Sequence, residues 1–91
     1  MSFTAGRRDR GDIEITFTPL PPGSGIDIEL KTSVERLYGE KLRSEIMESL
    51  KALGVKDCRI SAVDDGALPY VVQARVEAAV RLAKEEEKDE G

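Results

Sequence analysis

The stretch Val63–Leu82, VDDGALPYVVQARVEAAVRL, constrains this chain more than any other. Leu68, Val71, Val72, Val76, Ala79, Leu82 and Ala83 recur at the spacing of one helix face. Pro69 suits a first helical turn, where a missing N–H costs nothing. Asp64 and Asp65 stand before it, where negative charge favours a helix N-terminus. Gln73, Arg75, Glu77 and Arg81 fall on the outer side. A helix this apolar must lie on something. In a chain of 91 residues, the candidate is a small sheet with a second helix.

Two segments alternate as half-buried strands do. In Asp12–Thr18, Ile13, Ile15 and Phe17 point one way and Asp12, Glu14, Thr16 and Thr18 the other. In Ile26–Lys31, Ile26, Ile28 and Leu30 alternate with Asp27, Glu29 and Lys31. Pro19, Pro21, Pro22, Gly23 and Gly25 break the chain between them. This loop is too short for a crossover helix, so the pair is expected to form an antiparallel hairpin. Leu37, Tyr38, Leu42, Ile46, Leu50 and Leu53 then make a helical stripe with Val34 at its start. Thr32 or Ser33 caps it, Glu35 supports its N-terminus, and Gly39 suggests that the helix proper begins nearer Glu40. Gly54 is its expected stop. Val55–Val63 is a third strand, with Cys58, Ile60 and Ala62 on one face.

The expected fold is α+β, a small two-layer α/β sandwich of order β-β-α-β-α. Residues 1–10 form a flexible N-terminal arm bearing Arg7, Arg8 and Arg10. Residues 11–83 form the domain, and residues 84–91 a charged C-terminal tail.

Composition narrows the chemistry. There is no Trp and aromatic content is 4%, so the core must be aliphatic. A net charge of −4 argues against non-specific nucleic-acid binding. The absence of histidine removes the usual general base and the usual metal ligand together. Neither a catalytic residue nor a metal site is expected. Cys58 lies on an apolar face with no histidine to activate it, and reads as a buried small hydrophobe. A lone cysteine forms no internal disulfide, and the N-terminal residues lack the apolar middle of a signal peptide. Both fit a cytoplasmic protein. Gly23-Ser24-Gly25 is half of a glycine fingerprint, but a strand follows where phosphate binding needs a helix. Asp64-Asp65-Gly66 could hold a hard cation, but such a trio more often makes a turn and cap.

In combination these pieces resemble the acyl carrier protein, or gamma subunit, of citrate lyase. The resemblance rests on Gly11-Asp12-Ile13, Pro19-Leu20, Ile26-Asp27-Ile28-Glu29-Leu30, Ser33-Val34-Glu35, Tyr38-Gly39 and Ile46. Above all, Val63-Asp64-Asp65-Gly66-Ala67-Leu68 leads into Ala74-Arg75-Val76-Glu77-Ala78. The malonate decarboxylase carrier subunit looks like a more distant relative. The resemblance implies a non-catalytic subunit that carries an acetyl or citryl thioester on a covalently attached phosphoribosyl-dephospho-coenzyme A. Its expected partners are lyase and acyltransferase subunits. The implied cofactor-binding positions are Arg10, Gly11 and Asp12. The family's attachment serine falls at Arg10 here, and a guanidinium cannot form the phosphodiester that a hydroxyl makes. Three readings stay open: a member that has lost the group and acts as a structural or interaction subunit, an altered sequence, or attachment through another hydroxyl.

Overall fold

The computed structural model describes the backbone of residues 1–32 and 36–90, and the side chains of residues 1–32 and 38–86. Ser33, Val34 and Glu35, and the side chain of Leu37, lie outside the described residues.

The elements are β1 (Phe3–Ala5), β2 (Ile13–Pro19), β3 (Ile26–Thr32), α1 (Arg36–Ala52), β4 (Cys58–Asp64) and α2 (Pro69–Glu90). The fold is α+β in two layers, as expected, with one strand more than expected. Phe3–Ala5, assigned from sequence to the flexible arm, pairs antiparallel with β2, placing Phe3 opposite Phe17 and Ala5 opposite Ile15. Three residues are too few to show an alternation. The charged segment assigned to a tail continues α2 as far as Glu90. α1 starts at Arg36, ahead of Gly39, so burial of the later stripe outweighs glycine's weak helix preference.

The expected β2–β3 hairpin does not form. The strand order is β1-β2-β4-β3, with β4 antiparallel to β2 and parallel to β3. β4 has its alternate residues buried along its whole length and therefore takes the centre. A tight two-residue loop would have locked β2 to β3, whereas the Pro/Gly segment is long enough to pass the start of β4. Asp57 fastens it there. Its carboxylate accepts the N–H groups of Gly23 (3.0 Å) and Gly25 (2.9 Å), and its carbonyl accepts Leu20 N–H at 3.2 Å. The half-fingerprint glycines thus already face an anion of the protein's own.

Registers align the apolar residues in rows across the sheet. Phe3, Phe17, Ile60 and Ile28 form one row; Ala5, Ile15, Ala62 and Leu30 form the next. α2 lies over β1 and β2, α1 lies toward β3, and the two helices pack on each other. Leu42, Ile46 and Leu50 of α1 and Val72, Val76, Ala79, Val80 and Ala83 of α2 close the core. Leu68 and Leu82, expected on that face, are 54% and 43% exposed, and Val80 takes a place not foreseen. Cys58 is buried among these aliphatics, and burial, with Asp57 nearby, pushes its thiol up to about 11. The opposite sheet face is polar, carrying Thr4–Thr16 and Ser2–Thr18 hydroxyl pairs and an Arg59–Asp27 ion pair.

Candidate functional site, the β1–β2 turn and its clamp

Two connections meet at one end of the sheet, where β1 and β4 end and β2 begins. The connection from Gly6 to Asp12 carries the residues singled out in the sequence. Asp12 N–H donates to the Asp9 carbonyl at 3.0 Å, closing a four-residue turn with Arg10 and Gly11 at its centre. Gly11 has φ +80° and no other residue type among those described has positive φ, which is the pattern of a type II turn. Arg10 is exposed at its tip, beside exposed Arg7, Arg8 and Asp9.

The turn is tied down from β4. Gly11 N–H donates to the Asp65 carbonyl at 2.6 Å, and Asp65 N–H donates to the Asp12 carbonyl at 3.0 Å. These bonds prolong the β2–β4 ladder beyond the strands. α2 adds a second clamp. Arg75 donates through Nε to Asp12 Oδ1 (3.0 Å) and through a terminal nitrogen to Asp12 Oδ2 (3.2 Å). Asp12 Oδ1 also accepts its neighbour's N–H, from Ile13, at 2.7 Å. The Arg75 hydrogen bonds hold the Asp12 carboxyl below its ordinary value. Burial opposes them, and the Ile13 and Arg7 amides reinforce them. Gly6 leaves room for this packing: a Cβ there would lie 2.0 Å from the Ile13 carbonyl oxygen and 3.1 Å from Arg75 Cδ.

Asp64 braces the corner from beneath. It faces the core and is 3% exposed. Its carboxylate accepts Ala67 N–H at 3.0 Å, Gly66 N–H at 3.3 Å and the Thr32 hydroxyl at 2.9 Å. Tyr38 donates its hydroxyl to the Ala67 carbonyl at 2.7 Å, and its own acidity is weakened by burial and by the Asp64 and Glu45 charges. The Asp-Asp-Gly-Ala corner is therefore a brace. Among the described residues no group of three His, Cys, Asp or Glu side chains is placed to hold a metal ion.

The structure thus brings Arg10, Gly11 and Asp12 together on one braced turn. Sequence reasoning missed Gly6 and Arg75. Arg75 fell on the outer face of its helix, and its partner is 63 positions away. The available signal was Asp12 itself, a carboxylate opening an apolar strand and wanting a cation. The residues present do not fit the prosthetic group that the resemblance implies, which would need a hydroxyl at this turn. Between Gly6 and Ile13 there is no hydroxyl. The neighbouring Thr4 and Ser2 hydroxyls sit on or beside β1, bonded to Thr16 and Thr18.

Comparison with known proteins gives this fold and corner a class. The family model described as Malonate decarboxylase delta subunit (MdcD), an acyl carrier protein family, matches residues 2–83. The citrate lyase acyl carrier protein of Streptococcus uberis is 46% identical over 79 residues, which is 87% of this chain and 76% of that one. The protein of the same name from Lacticaseibacillus casei is 40% identical over 82 residues, 90% of this chain and 79% of that one. A chain of the Pseudomonas malonate decarboxylase hetero-tetramer, solved with malonate, superposes with TM-score 0.66 at 27% identity, covering 86% of this chain and 78% of that one. The class is that of small acyl carrier proteins serving multi-subunit enzymes. Within it, the chain belongs to the family of citrate lyase acyl carrier proteins and malonate decarboxylase delta subunits. The Staphylococcus aureus RNase P protein, with TM-score 0.54 at 11% identity, shares the fold alone.

Proposed function

We propose that this chain is a carrier-type subunit of a citrate-lyase-like complex that presents its β1–β2 turn to lyase and acyltransferase partners without the family's covalent arm. The carrying observation is the contrast within one turn. Its frame is intact, clamped by Asp65 and by the Asp12–Arg75 pair, while its exposed tip residue is Arg10. A rigid, projecting turn is what a carrier needs to reach two active sites from one seat. Phosphoribosyl-dephospho-coenzyme A needs a hydroxyl at that tip, and this turn offers a guanidinium. The chain's single thiol is buried with a raised pKa, so it supplies no substitute nucleophile. The chemistry then belongs to the partner subunits, and this chain contributes position.

The test is the intact mass of the chain purified from its native host, with peptide mapping of Met1–Phe17. Wild type should show its bare mass where the prosthetic-group enzymes are active, and Arg10→Ser should gain the group. An adduct on the wild-type chain would overturn the reading and locate the true attachment residue.

A further inference from the structure

A groove runs between the two helices. Glu45 and Glu48 of α1 and Tyr70 and Gln73 of α2 form its sides, with Ser49 and Pro69 also lining it. Tyr70 is 69% exposed, an unusual position for one of the chain's two tyrosines. The buried Ser49 hydroxyl is already satisfied by the Glu45 carbonyl at 2.9 Å. The charges in the groove are of one sign. Among the described residues, no lysine or arginine lines it. The ion pairs Arg8–Glu14, Arg59–Asp27, Arg75–Asp12 and Arg81–Glu77 all lie outside it.

An open aromatic face beside two carboxylates suits a planar cation. The ring attracts a cation to its face, and the carboxylates accept the fork of donors that a guanidinium presents. We infer that this groove is a docking surface for an arginine-bearing segment of a partner subunit, with Tyr70 as the aromatic anchor and Glu45 and Glu48 as the charge partners. The inference rests on the reading of the chain as a subunit of a complex. Tyr70 stands in the first turn of α2, just beyond the corner that clamps the β1–β2 turn. One partner seated in the groove would therefore have the turn within its reach. A second copy of this chain is the weaker occupant. Of its exposed arginines, Arg7, Arg8 and Arg10 surround Asp9. Arg8, Arg59 and Arg81 are engaged by Glu14 (3.1 Å), Asp27 (3.3 Å) and Glu77 (2.7 Å), and Arg43 donates to the Ile28 carbonyl.

The test uses the full chain with purified lyase and acyltransferase subunits from the same host as probes. Binding is measured by calorimetry at low and at physiological salt. The Glu45→Lys/Glu48→Lys double variant and Tyr70→Ala change only the groove, and thermal melting confirms that each still folds. Each should weaken binding to one of the subunits by about tenfold or more, and wild-type binding should weaken with added salt. Wild-type affinity in the charge-reversal variant would overturn the inference while leaving the proposed function standing. Binding of neither subunit by the wild-type chain would overturn both. Light scattering provides a further check: a dimer dissolved by the charge reversal would put a second copy in the groove and overturn the assignment to a partner.

Discussion

Replacing Gly6 with alanine measures how tightly the β1–β2 turn is held from below. Gly6 has φ +85°, a conformation that costs a residue with a Cβ about 1–2 kcal/mol. The new Cβ would also sit 2.0 Å from the Ile13 carbonyl oxygen. That oxygen is backbone at the first residue of β2, so no side chain can rotate to relieve the clash. Either the turn lifts or the start of β2 shifts, an overpacking cost of about 1–3 kcal/mol more. Gly11→Ala is the control. Gly11 has φ +80° but nothing within 4 Å of a built Cβ, so it carries the conformational cost alone. Gly6→Ala should therefore cost about 2–5 kcal/mol and Gly11→Ala about 1–2 kcal/mol. A domain of 91 residues holds about 5–14 kcal/mol in all, so the first is a large share. With a urea slope of about 1–3 kcal/mol/M, the difference should place the Gly6→Ala midpoint about 1 M below that of Gly11→Ala. Equal midpoints would refute the claim that Gly6 is fixed by close approach to β2.

Three further outcomes follow from the same geometry. Asp12→Asn should cost about 1–2 kcal/mol near neutral pH, a charge-assisted pair discounted because Arg75 is 40% exposed. Because the folded carboxyl has a lowered pKa, its contribution is full above the unfolded value near ~3.9 and fades as pH falls through the folded one. Urea midpoints of wild type and Asp12→Asn should converge in acid. Cys58 has the opposite sign: its raised pKa stabilises the fold fully below the unfolded value near ~8.5, and that stability is lost as pH climbs toward about 11. The wild type should lose ground to Cys58→Ala over that alkaline range, and a pH-independent gap between them would contradict the burial argument. Asp57→Ala should release the Gly23 and Gly25 amides, costing about 1–3 kcal/mol, with hydrogen exchange at those two amides accelerating ahead of the rest of the sheet.

The layers of this fold were legible because they follow from local periodicity. Ile13, Ile15 and Phe17 alternate on β2, Cys58, Ile60 and Ala62 on β4, and Leu42, Ile46 and Leu50 share a stripe on α1; all are buried as their spacing requires. Strand order was not legible, because a loop such as Leu20–Gly25 permits two antiparallel strands to be neighbours or to stand one strand apart. What separates these cases is the demand of β4 for neighbours on both edges, a property of the whole sheet. β1 was missed since three residues carry no period. The site was half legible. The positions of Arg10, Gly11 and Asp12 came from the family resemblance, and their neighbourhood came from contacts between distant residues. Leu68 shows why a helix face read from spacing has soft edges: the residue lies ahead of Pro69, before α2 begins, so the helical period does not place it.

Position 10 separates the turn's shape from its chemistry. The bonds that define the turn are made by the backbone of Arg7, Asp9, Gly11, Asp12, Ile13 and Asp65 and by the side chains of Asp12 and Arg75. None uses the side chain at the tip. Arginine or serine can therefore stand there at nearly equal stability, and Arg10→Ser should melt within about 0.5 kcal/mol of wild type. The same frame can thus serve a carrying subunit and a docking one, and exchanging this single exposed residue alters what the turn can bind covalently while leaving where it points unchanged. A large loss of stability in Arg10→Ser would mean that the guanidinium braces the turn, and the division between frame and tip would fail.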